Sequence, residues 1–211
     1  MSILALASAV AFQPADINQR RMIEWIAPLI RVSNEEDDTS VLAEAWLDKN
    51  GYVRECEIVM FVGTTEVAER ICDDMIRFRA IPARGPDGER VHAVIRFTFG
   101  KIAGPSARSS QLHDATMRAS DNYYNVYLQL GAAPRGVDLS SPVGIHVLVD
   151  DQGQAMGCKH SDTTDTAKAL GPAACPYVMQ NFPFEARQSN DGVPVPYVRS
   201  MTVKFDVADE G

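Results

Sequence analysis

The 211-residue chain is 45% hydrophobic and 23% charged, ordinary values for a folded domain, so disorder is not its default state. A formal charge of -8, with Lys and Arg scattered rather than clustered, argues against nucleic acid or an anionic membrane as a partner. No apolar run approaches the roughly 20 residues of a membrane-spanning helix, so no transmembrane anchor is expected in this chain.

Residues 1–11 read as the end of a secretory signal: a short apolar run, then Ala9-Val10-Ala11 as an A-x-A cleavage pattern before Phe12, though without a basic leading region. From Pro14 to Arg31, Met22, Trp25, Ile26, Leu29 and Ile30 have the spacing of an amphipathic helix that Pro28 kinks or shortens. The acidic run Glu35 to Asp38 reads as a solvated loop. Strands over 41–47 and 52–61 flank Lys49-Asn50-Gly51, a hairpin turn, with Cys56, Ile58 and Met60 on one face and Glu55, Glu57 and Val59 on the other. A helix then starts near Gly63-Thr64-Thr65-Glu66 and runs to about Arg79, with Val67, Ile71, Met75 and Phe78 as its apolar stripe and Ala68 and Cys72 alongside. Pro82 stops it. After the turn Gly85-Pro86-Asp87-Gly88, a strand over 91–99 alternates Val91, Ala93, Ile95, Phe97 and Phe99 against His92, Val94, Arg96 and Thr98.

Gly100 to Ser110 has linker composition, and 112–130 fits a short helix followed by a strand about as well as any other reading. A second hairpin follows, 143–149 and 154–160 around Asp151-Gln152-Gly153. Gly171-Pro172 breaks the next region into a loop with one turn near 163–170 and a short helix over 172–181. The turn Asn190-Asp191-Gly192 leads into a last long strand over 195–207.

The chain therefore repeats itself. Asp48 to Phe99 and Asp150 to Phe205 each open with an acid and a glycine turn, place a cysteine five residues past the glycine and a second roughly one helix later, and close on an alternating strand. The fold class expected is α+β, as two tandem β-β-α-β units, each a small antiparallel sheet with one helix packed on it. The division is 1–11 as signal remnant, 12–100 as N-terminal helix and first unit, 101–137 as linker or adaptor, and 138–211 as second unit. Four cysteines permit three connectivities. The repeat selects Cys56 with Cys72 and Cys158 with Cys175, each closing a loop of about 17 residues worth on the order of 3 kcal/mol. Such bonds imply a periplasmic or secreted protein; a cytoplasmic one, should the N-terminus not be an export signal, would hold four buried thiols instead.

The ordered set Asp48, Gly51, Cys56, Cys72, Pro82-Ala83-Arg84, Asp87-Gly88, Val91, repeated as Asp150, Gly153, Cys158, Cys175, Ala186-Arg187, Asp191-Gly192, Val195, resembles the C-terminal domain of TonB-like periplasmic proteins of the cysteine-paired type. The resemblance covers about 120 residues as two divergent copies. The transducers' Pro-rich spacer and membrane anchor are not seen here, and their Ser-Ser-Gly before the helix is replaced by Phe61-Val62-Gly63. What the resemblance implies is the fold and a protein or peptide partner, such as an extended peptide of an outer-membrane receptor added as a strand to a sheet edge. Energy transduction is not implied. Val91, Ala93, Ile95, Phe97 and Phe99 form the candidate edge strand, with 195–207 as its counterpart, unless the two units pair with each other and hide both.

An enzyme is the weaker expectation. Phosphate-loop, nucleophile-elbow and H-E-x-x-H patterns are lacking, so no catalytic residue and no cofactor are assigned. Cys158, His160, His146 and Cys175 match no common zinc spacing, and both cysteine pairs are too wide for a C-x-x-C redox motif. A structural, duplicated domain of an envelope assembly is the remaining alternative, with Trp25, Trp46, Phe61 and Tyr123 to Tyr127 as interface or core aromatics.

Overall fold

The computed structural model describes residues 11–18, 20–22, 24, 39–62, 65–101 and 124–208. The signal-like residues 1–10, helix positions Trp25 to Ile30, the acidic run 35–38 and the adaptor from 102 to 123 lie outside the described residues.

The hairpins form for a reason carried by the Asp-x-x-Gly turn. β1 (Thr39–Leu47) and β2 (Val53–Val62) meet at a turn in which Asp48 Oδ1 accepts the N–H groups of Asn50 (2.8 Å) and Tyr52 (3.0 Å). β6 (Val143–Val149) and β7 (Ala155–His160) meet at its twin, where Asp150 Oδ1 accepts from Gln152 (2.9 Å) and Gln154 (2.7 Å). Gly51 and Gly153 both take the left-handed conformation, φ +85° and +83°. A Cβ at Gly51 would also collide with the Ala80 carbonyl oxygen, and one at Gly153 with the Ala186 backbone nitrogen.

Each half then adds a helix and a long strand. α1 (Thr65–Met75) ends a turn earlier than its apolar stripe suggests; Phe78 is buried from the loop beyond it. β3 (Ala83–Arg84) pairs the start of β4 (Arg90–Lys101). β5 (Val126–Leu130) settles the ambiguous 112–130 segment as a strand in its described part. α2 (Asp165–Asn181) is continuous, against the expected break at Gly171-Pro172. It is started by Thr164, whose side chain accepts the Ala167 N–H, and it buries Ala167, Leu170, Gly171, Ala174 and Val178 on one side. Pro172 and Pro176, four residues apart, stand exposed on the other side, where the carbonyls their missing N–H groups leave free face solvent rather than the core. β8 (Arg187–Gln188) pairs with β9 (Pro194–Val195), and β10 (Tyr197–Val207) is the last long strand.

The fold is α+β, and its main sheet is shared by both halves rather than split into two small sheets. The strand order is β2-β1-β4-β10-β6-β7, mainly antiparallel, with β3 added to β4 and β5 to β10. The seam is parallel and short: His92 to Val94 of β4 lie beside Tyr197 to Arg199 of β10. Beyond it β10 leaves β4 and pairs β5 through Val203 to Val207.

Alternation decides which half of each face is covered. Val41, Ala43, Ala45, Leu47, Ala93, Ile95, Phe97 and Phe99 pack under Ala68, Ile71 and Met75 of α1. Val143, Ile145, Val147, Val149, Met201, Val203 and Phe205 pack under α2 on the opposite face. Two pairs of corresponding residues cross over: Trp46 and Val94 join the α2 core, and Leu148 and Val198 join the α1 core. A rotation relating parallel neighbouring strands runs along the strand direction and exchanges the two faces, which is why the helices lie on opposite sides.

Three local expectations are corrected by these pairings. A bulge between Leu42 and Ala43 carries Met60 to the face opposite Cys56 and Ile58, because Met60 now stands across from Leu42. Ala83 opposite Val91 matches Arg187 opposite Val195, one residue out of step with the Ala-Arg pairs of the sequence. Residues 11–18 are not helical but extended, Gln13 bridging Arg84 and Asp16 bridging Ile81; helix is present at 20–22 and 24. Phe12, Ala15 and Met22 of this segment fill the α1-side core.

Candidate functional site

The side chains of the expected edge strand face the core, and its start has strands on both sides. β4 is paired by β3 at Arg90 and Val91 and by β1 from Ala93 to Lys101, while β10 meets it at His92 to Val94, so that Ile95, Phe97 and Phe99 have β1 as their one described partner strand. Ala93, Ile95, Phe97 and Phe99 are buried beneath α1, with Val91 packed against them. β10 is flanked by β6 on one side and by β4 and then β5 on the other. Among the described residues β2 and β7 end the main run of strands with one neighbour each, as β3, β5, β8 and β9 also have one partner strand each.

Cys56 on β2 is bonded to Cys72 on α1, and Cys158 on β7 to Cys175 on α2, with Cα–Cα distances of 5.2 and 5.5 Å. Corresponding strand and helix are thus pinned in each half, and bonds of this kind belong to an oxidising compartment. No helix among the described residues is long and apolar enough to cross a membrane. Cys158 and Cys175 are held by each other, and His146 stands beside Lys159 on the face away from them. A zinc site built from these residues does not assemble.

What the structure does assemble is a polar cleft on the α2 face, over the half of the sheet that α1 covers from behind. Glu44 on β1 lies opposite Arg96 on β4 and accepts from its Nε at 2.9 Å. Arg199 on β10, 155 residues away in sequence, donates Nη2 to both Glu44 oxygens at 2.9 and 3.1 Å. The three side chains are only 13–17% exposed, so the cluster is largely desolvated and its charges are weakly screened. It bolts the seam where backbone pairing is shortest.

Aromatic side chains wall the cleft. Trp46 stacks on His92 at 5.2 Å and meets Tyr197 edge-on at 5.6 Å, and the Arg187 guanidinium lies 5.8 Å from the Trp46 ring centre. Phe182, the α2 C-cap, sits 5.9 Å from the Arg199 guanidinium. Tyr197 donates its hydroxyl to the Glu185 carbonyl at 2.9 Å, and burial pushes its pKa up. Burial holds His92 below its ordinary value. A cavity of about 390 Å³ opens between Glu44, Arg96, Arg199, Phe182, Asn125 and the β2 segment Glu57 to Val59. Smaller ones of about 190 and 180 Å³ adjoin it through Glu44 and Arg199.

The matching position on the other face is chemically different. Where the first half has Glu44 and Arg96, the second has His146 and Ser200, Nδ1 to Oγ at 3.0 Å. Burial, with Lys159 nearby, drives His146 down to about 4 against the opposing pull of Asp16, so it is neutral at pH 7.

Sequence reasoning missed Glu44, Arg96, Arg199, Trp46 and Asn125 as a group. The one signal was charge in the middle of alternating strands, at Glu44 and Arg96, which reads equally well as solvent exposure. Comparison with protein-family models, with curated proteins and with solved structures finds no match, so the functional reading rests on the geometry of the chain itself.

Proposed function

We propose that the chain is a periplasmic, non-enzymatic binding or adaptor protein akin to TonB C-terminal domains, taking an extended peptide, such as one from an outer-membrane receptor, by strand addition. The observation that carries this is β2. Among the described residues its ten residues have one paired neighbour, Ile58 to Val62 is an uncharged apolar run, and Phe61 is 38% exposed. A long, apolar, unpaired edge is a template for another strand. Glu55 and Glu57 at its other end favour a partner with basic residues there, and the cleft beside Glu57 to Val59 offers room for side chains. Both cysteine pairs are committed to disulfides, which leaves thiol or zinc chemistry without its ligands.

Titration with extended receptor peptides, read by hydrogen exchange, tests this reading. Binding should slow exchange across 53–62. Absence of binding, with these amides already protected in the free protein, would end it. A structural role in an envelope assembly is the second reading, favoured by the internal seam between β4 and β10, and it predicts that second outcome.

A further inference from the structure

We propose that the cavity between the sheet and the α2 C-cap is a carboxylate-binding site whose donors are Arg199 and Asn125. Arg199 is 13% exposed, yet its bonds to described residues all leave from Nη2, to Glu44; Nη1 makes none, and Nε is buried without a partner. A guanidinium held this way is fixed in place by one carboxylate and still has donors to offer a second. Asn125 supplies the neighbouring donor. Its Oδ1 accepts the Thr202 N–H at 2.9 Å, which fixes the amide so that the other terminal atom is the NH₂ group, and that group bonds no described residue. Both side chains line the same cavity of about 390 Å³, which Phe182 walls on one side.

The size and charge of the site select the ligand. Glu44 already occupies one end of the Arg199 guanidinium, so a dianionic phosphate would meet its charge at close range, whereas a monoanionic carboxylate adds half that repulsion and matches the planar donor geometry. The carboxylate comes from a peptide C-terminus or from an acidic side chain. The inference does not depend on strand addition at β2, since its donors belong to β10 and to the residue preceding β5.

The test is NMR titration of the full chain, following the Asn125 side-chain amide and the Trp46 indole. The probes are acetate, a short peptide with a free C-terminus, the same peptide amidated, and the amidated peptide carrying one Asp. Saturable shifts with acetate and the free peptide, lost on amidation and not restored by Asp, assign a terminal carboxylate; restoration by Asp assigns a side chain. Asn125→Asp keeps the acceptor for Thr202 and replaces the donor with a negative oxygen, so it should weaken binding by roughly tenfold or more. Arg199→Gln should do the same. Linear, unsaturated shifts up to on the order of 50 mM acetate, or equal binding by Asn125→Asp, would overturn the proposal.

Discussion

Replacing His146 should make the protein markedly more resistant to acid. The ring is half-buried against Ser200 and its pKa falls from 6.5 to about 4 in the folded state, with burial as the main cause. The unfolded chain therefore binds the proton more readily than the folded one between those values, and stability is lost as pH falls from 6.5 towards 4 and levels off below. At 1.36 kcal/mol per unit, the loss from this group is about 2 kcal/mol at pH 5 and about 3 kcal/mol at pH 4 relative to pH 7. His146→Gln retains a partner for Ser200 and removes the titration. Urea unfolding at pH 7 and pH 4.5, for both proteins, isolates the term, because carboxylates and the other histidines contribute to both slopes alike. The variant should lose about 2 kcal/mol less than the parent over that interval. Equal losses, or an NMR titration of His146 centred near 6.5, would refute the burial argument.

Two further outcomes follow from the geometry. Reducing either disulfide, or replacing Cys56 and Cys72 or Cys158 and Cys175 with Ala in pairs, should cost about 3 kcal/mol each, measured by denaturant melts; the sequence separations of 16 and 17 make the two losses nearly equal. Pro172→Ala should stabilise α2 by about 1 kcal/mol or more, since an exposed helix-interior proline becomes the best helix former and restores a donor to the Lys168 carbonyl. A lower melting temperature for that variant would show that the proline is required by packing the helix does not reveal.

The hairpins, turns and cysteine pairing were legible in the chain because each is set by chemistry within a few residues. Asp48 and Asp150 carry their turns by capping N–H groups two and four residues on, and the glycines between them supply the left-handed backbone. The pairing of Cys56 with Cys72 and Cys158 with Cys175 needed only matched spacing in two copies. The break predicted at Gly171-Pro172 shows the limit of local rules: the buried face of α2 holds the helix together, and the prolines happen to share its wet side.

Period-two alternation identified the two faces of 91–99, but it could not say what lies beside the strand or over each face. His92, Val94, Arg96 and Thr98 look like a solvent row in the sequence. Tertiary structure buries Val94, stacks His92 on Trp46 and joins Arg96 through Glu44 to Arg199. The decision belongs to the parallel docking of β4 on β10, which joined the starts of the two long strands, left β2 and β7 at the ends of the main run of strands and created the cleft. Backbone pairing groups are the same in every strand, so the sequence by itself determined the units and their faces, while only long-range packing determined their neighbours.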